Sequence, residues 1–227
     1  MKKIAILLLI AFSFVFAQKT YVPDDKFEQA LIDLGYDTTL DDSVVTANIS
    51  GVTNLDIRNK DISDLTGIEG FAALIELIVS NNKLTSLDIS QNTALLYLDC
   101  NYNLLTSLDV SKNTALITLQ CYNNKLTALD VSKNTALTFL ACFSNELTSL
   151  DVSKNTALTW LSCGDNQLTS LNMRNGATDQ LSYFDATRNS GLTCIETLDP
   201  AYATANWTSA NGKIDAGVTF SVICGGT

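Results

Sequence analysis

The 227-residue chain contains no histidine. That absence removes Ser-His-Asp triads, Cys-His pairs and H-E-x-x-H zinc sites together, because each needs an imidazole as base or ligand. No G-x-x-x-x-G-K-[ST] or G-x-G-x-x-G segment occurs, so no phosphate-cradling loop is predicted. Proline is scarce: Pro23 and Pro200 are the only two, which excludes a Pro-rich linker. Positive charge is in deficit, with 14 Lys and Arg against 24 Asp and Glu and a formal net charge of −10. Nucleic acid and anionic membrane both require a basic footprint, so neither is expected as a partner. A carboxylate-pair glycosidase needs only acids. The acids here fall in periodic rows, which do not isolate one pair in a cleft, so no enzyme activity and no cofactor are expected.

What is present begins with "MKKIAILLLIAFSFVFAQ". Lys2 and Lys3 precede a short apolar stretch, Ile4 to Phe16, and Val15-Phe16-Ala17 suits a small-residue cleavage site. The stretch is too short to cross a bilayer comfortably, so residues 1–17 read as a secretory signal and the mature chain as starting at Gln18. No cysteine follows the cleavage site, no sortase-type anchor or C-terminal sorting domain is visible, and no later apolar run is long enough to span a membrane. The expected location is secreted or cell-surface, with the periplasm left open and no membrane insertion.

Self-similarity is the strongest signal. Cys100, Cys121, Cys142 and Cys163 are 21 residues apart, as are Leu74, Leu95, Leu116, Leu137 and Leu158, and Leu87, Leu108, Leu129, Leu150 and Leu171. Each unit carries L-x-x-L-x-C-x-x-N (Leu137, Leu140, Cys142, Asn145) and then L-x-x-L-x-V-x-x-N (Leu147, Leu150, Val152, Asn155). Alternation of L-x-C or L-x-V puts both side chains on one face of a short strand. One unit cannot bury that face alone, whereas stacked units give a continuous apolar interior. A fully buried Leu contributes roughly 1.5–3 kcal/mol. The predicted fold is a solenoid of mainly parallel, short β-strands, with little helix in the central repeats. "DDKFEQALIDLG" predicts an N-terminal helical cap: Asp25 and Glu28 match a capping box, Phe27, Leu31 and Leu34 share a face, and Gly35 stops the helix. The organisation is therefore a signal at 1–17, an N-terminal cap at 18–51, about seven coils at 52–191 and a C-terminal cap at 192–227.

The nested pattern resembles the leucine-rich-repeat family, in particular its 21-residue bacterial subclass called IRREKO. "ISDLTGIEGFAALIELIVSNNKL", Ile62 to Leu84, is similar to an internalin repeat, and the C-terminal segment resembles the ends of secreted Bacteroidota repeat proteins. The resemblance spans about Val52 to Cys194. It implies a leucine-rich-repeat solenoid and a role in surface adhesion or environmental interaction.

The ladder cysteines occupy the inward slot that Val79 fills one coil earlier. They read as small apolar core groups. Occasional disulfides between neighbours, or a metal, are alternatives; a metal needs several thiolates converging on one ion, and a ladder spreads them out. Cys194 and Cys224 lie outside the ladder and are expected to pair. The asparagine ladders Asn103, Asn124, Asn145, Asn166 and Asn92, Asn113, Asn134, Asn155 are expected to satisfy backbone groups at turns. Asp88, Asp109, Asp130 and Asp151 point outward from the constant strand, where calcium is an alternative without a D-x-D-x-D-G loop to support it. Asp37, Asp41 and Asp42 carry the same alternative. The threonine ladder Thr85, Thr106, Thr127, Thr148 and Thr169 invites an ice-binding reading, which the adjacent aspartate row opposes by hydrating the surface.

Half of each unit is copied and half varies. "LDVSKNTAL" occurs three times, while the variable half reads "ITLQCYNNK", "TFLACFSNE" and "TWLSCGDNQ". The variable outward columns hold Tyr97, Tyr102, Tyr122, Phe139, Phe143, Trp160 and Tyr183, with Asp99 and Gln120 among them. Exposed aromatics in a row call for something to cover them, and Tyr and Trp are favoured interface anchors. These nine residues are the candidate ligand-binding set. A protein ligand is the preferred partner; a glycan stacking on the same rings and a passive structural solenoid are the alternatives.

Overall fold

The computed structural model describes residues 17–225. All but the last residue of the signal reading lies outside the described residues. The N-terminal cap comprises β1 (Lys19–Tyr21), α1 (Asp25–Asp33), β2 (Ser43–Val45) and α2 (Thr46–Ile49), with β1 and β2 antiparallel. The solenoid carries β3 (Asn54–Asp56), β4 (Glu76–Ile78), β5 (Tyr97–Asp99), β6 (Thr118–Gln120), β7 (Phe139–Ala141), β8 (Ser149–Asp151), β9 (Trp160–Ser162), β10 (Ser170–Met173) and β11 (Tyr183–Asp185). β12 (Cys194–Thr197), α3 (Pro200–Asn206) and β13 (Thr219–Ser221) close the other end.

Helix α1 forms where the apolar spacing places it, but two local expectations fail. Its N-cap is Asp24, which accepts from the N–H of Lys26 (2.9 Å) and Phe27 (3.0 Å). Glu28 is fully buried and caps a different segment, accepting from the N–H groups of Asp41, Asp42 and Ser43. The carboxylate thus serves three orphan donors of a loop rather than one of its own helix. Leu34 is exposed, because the chain turns out of the helix there. Gly35, at φ 80°, stops the helix as expected: its N–H reaches Ile32 O while Tyr36 N–H reaches Leu31 O, the paired bonds of a Schellman end.

Strands β3, β4, β5, β6, β7, β9 and β11 form one seven-stranded sheet in which every neighbouring pair is parallel. Its register aligns Leu55, Leu77, Leu98, Leu119, Leu140, Leu161 and Phe184 in one inward row. The second wall is less regular. The constant half is hydrogen-bonded as strand only late in the stack, where β8, β10, β12 and β13 form a four-stranded sheet. The units at Leu87, Leu108 and Leu129 keep their leucines inside without a strand. Among the described residues, the only helical element between β3 and β12 is one 3-10 turn, Ile68–Gly70.

Cys100, Cys121, Cys142 and Cys163 are free thiols with no exposed surface. Burial pushes all four up, the Cys142 thiol to about 12, so none presents a thiolate for chemistry. The asparagines of the variable half are nearly saturated: Asn145 Oδ1 accepts from Leu126 N–H (3.0 Å) and its Nδ2 donates to Cys121 O and Cys142 O (3.1 Å each). Those of the constant half donate in the same way, but Oδ1 of Asn92, Asn113, Asn134 and Asn155 is buried without a protein donor. At the C-terminal end a disulfide joins Cys194 and Cys224, as expected. Trp207 stacks on Phe184 (centroids 4.1 Å) and meets Phe220 edge-on, sealing the last coil.

Candidate functional site on the variable face

The parallel register fixes which outward side chains are neighbours. It aligns Asn54, Glu76, Tyr97, Thr118, Phe139, Trp160 and Tyr183 in one column, and Asp56, Ile78, Asp99, Gln120, Ala141, Ser162 and Asp185 in the next. Neighbouring strands are about 4.8 Å apart, close to the thickness at which flat rings stack. The rings use that spacing. Phe139 stacks on Trp160 (5.2 Å) and Trp160 on Tyr183 (4.1 Å). Just beyond the strand ends, Tyr122 stacks on Phe143 (4.3 Å) and meets Tyr102 edge-on (5.5 Å).

The aromatics therefore point outward, but they cover one another. Of the seven, only Tyr102 is exposed, at 53%; the others are half-buried. Burial raises the Tyr97, Tyr122 and Tyr183 phenols above their usual range. Gln120 Nε2 donates to the Tyr97 hydroxyl, so these two predicted site residues act as a pair. Asp99 is corrected from a surface contact to a supporting group. It lies on the outward side yet is only 8% exposed, accepts from Asn101 Nδ2, and has its carboxyl raised by burial. Ala141 and Ser162 are buried in the same column.

Two features escaped the sequence reading. Asn59, Asn81, Tyr102, Asn123, Ser144, Asp165 and Arg188 all have positive φ, between 49° and 59°. Each coil leaves its strand through this left-handed residue, which Asn adopts readily and Tyr or Arg does not. The recurrence of Asn in this column was the available signal. Tyr102 holds this costly conformation while presenting the most exposed ring of the set. The second feature is Lys213, whose ammonium stands 4.6 Å from the Tyr183 ring centroid. Gly164, legible in the sequence, is where the column of Tyr122 and Phe143 loses its side chain.

Among the described residues, one group of acids brings its oxygens within 4.8 Å of one another, as a metal requires: Glu28, Asp37 and Asp41. Lys19 Nζ already sits on Asp41 (2.8 Å), and Glu28 is committed to three N–H donors. Asp88, Asp109, Asp130 and Asp151 instead each accept the N–H of the serine two residues on, at 2.8–2.9 Å.

No family model matches the chain. Internalin J of Listeria monocytogenes is 42% identical over 73 residues, which is 32% of this chain and 8% of that protein. The functional domain of InlJ from the same organism, which includes a cysteine ladder, superposes with TM-score 0.61 at 30% identity, covering 82% of this chain and 53% of that one. The chain has an internalin-like leucine-rich-repeat fold. The internalin-like chain therefore spans about half the length of the solved InlJ domain. Internalin C2 of L. monocytogenes shares the fold, with TM-score 0.58 at 18% identity over 92% of this chain and all of that one. Folds of this kind usually mediate protein–protein binding. Among the described residues no helix is long and apolar enough to cross a membrane.

Proposed function

We propose that this chain is a secreted or cell-surface, non-catalytic binding module that recognises a protein, in adhesion or surface recognition, through the aromatic-rich face of the seven-stranded sheet. One observation carries the reading: sequence change and aromatic residues concentrate on the same outward columns, while the other half of each unit is copied almost unchanged. Neutral drift scatters changes over both halves. The glycan reading uses the same rings but needs their faces free, and stacking at 4.1–4.3 Å spends most of those faces within the protein. Ring edges, half-buried and rimmed by amides and acids, suit a protein surface.

The test is crosslinking of the native protein to its neighbours in fractionated cells, alongside a glycan array. The variant replacing Tyr122, Phe139, Phe143 and Trp160 with Ser is expected to lose its protein crosslinks while keeping its cooperative melt, and the array is expected to stay silent. Protein crosslinks that survive in the folded variant would sink the proposal.

A further inference from the structure

The two aromatic rows end differently. The Phe139–Trp160–Tyr183 row is closed by a cation, the Lys213 ammonium over Tyr183. The Tyr102–Tyr122–Phe143 row reaches Gly164 in the next coil and stops. Tyr122 stacks on Phe143, and among the described residues no further aromatic ring pairs with Phe143. A Cβ at Gly164 would stand 3.0 Å from the Thr187 carbonyl oxygen and 3.2 Å from both carboxylate oxygens of Asp185. A side chain there would have to push these neighbours back by a few tenths of an ångström, so glycine suits the close approach, which sets the Asp185 carboxylate beside the missing rung. An anion is a poor neighbour for the negative face of a ring. A cation placed between the two is attracted by both.

The charges on this face support the same occupant. Near the N-terminal end Arg58 neutralises Asp56 (2.7 Å). In the later coils, among the described residues, no Lys or Arg forms an ion pair with Asp165 or Asp185. Asp185 Oδ1 accepts from Thr187 N–H (2.9 Å) and Oγ1 (2.7 Å), and Asp165 Oδ2 from Ser144 Oγ (2.8 Å). The second oxygen of each carboxylate has no protein donor among the described residues.

We propose that the missing rung takes an arginine side chain of the protein partner, its guanidinium stacked on Phe143 and bonded to Asp185. The flat guanidinium matches the place of an absent ring and keeps in-plane donors for the carboxylate, which an ammonium does less well. The inference rests on the protein-recognition reading of the face.

The test is an NMR titration of the full chain, with labelled glycine amides and phenylalanine rings, using the peptide Ac-Gly-Arg-Gly-NH2 and its lysine counterpart as probes. Saturable shifts are expected at the Gly164 amide and the Phe143 ring, with the lysine peptide several-fold weaker. Asp185→Asn, which keeps the acceptor for Thr187 N–H, is expected to weaken the arginine peptide by about tenfold. Phe143→Leu, followed at Gly164, is expected to weaken it about threefold. No shift at Gly164 or Phe143, or equal affinity in Asp185→Asn, overturns the rung. Crosslinks lost in the fourfold aromatic variant beside an unresponsive Gly164 overturn the rung and leave protein recognition standing. Crosslinks retained there overturn protein recognition and the partner's arginine with it.

Discussion

Asn59, Asn81 and Asn123 hold the left-handed conformation that every coil needs, and Arg188 holds it without the local side-chain bonding that makes Asn suitable. Arg188→Asn is therefore expected to raise stability by about 0.5–1 kcal/mol in urea unfolding, since Arg188 makes no ion pair among the described residues. A loss of stability would mean that the turn is not strained there. Asp99 carries a second residue-scale prediction. Burial raises its carboxyl, so its contribution to stability is present below the unfolded carboxylate range and is lost as pH rises through the folded value. Asp99→Asn is expected to stabilise at neutral pH and to gain nothing in acid below that range; an equal effect at both pH values would remove burial as the cause. These residues also mark how far the sequence was readable. "DDKFEQALIDLG" announces a helix and its glycine stop, but not that Asp24 takes the cap while Glu28 turns to a loop thirteen residues away. Helix periodicity is local, and the choice between two adjacent aspartates depends on what packs across from them.

At the scale of the element, one coil is a strand, a left-handed exit and a return. The inward slots were legible because a period of 21 and alternation along a strand leave the leucines and cysteines only one place to go. Val79 in the cysteine slot supports a test of that reading. Cys142→Val is expected to change stability by less than about 1.5 kcal/mol, whereas Cys142→Ser, which buries a hydroxyl among leucines, is expected to cost about 2 kcal/mol. Equal losses in urea titration would show that the thiol does more than fill space. The outward slots were legible as positions but not as contacts. That Tyr122 and Phe143 lie face to face while Asp99 is covered depends on side-chain torsions set jointly by neighbouring coils, and no single repeat records them.

Across the whole molecule, each coil touches chiefly the next, so stability is a sum of neighbour terms and the ends decide where opening begins. The Cys194–Cys224 disulfide ties β12 to the segment beyond β13. Its reduction is expected to cost about 3–4 kcal/mol, read in Trp207 fluorescence as the loss of the stack on Phe184 before the central coils melt. Simultaneous loss of cap and coils would show one cooperative unit instead. Serine N–H groups hold the Asp88, Asp109 and Asp130 carboxyls below the usual range, so their contribution is present above the unfolded pKa and fades as pH falls through the lower folded values. The N-terminal cap is held by packing and hydrogen bonds alone while the far end is tied covalently, which makes the stack mechanically one-sided. Under tension between its termini, coils should peel singly from the N-terminal side, each releasing about 70 Å of chain for 21 residues, while the clamped end holds longest.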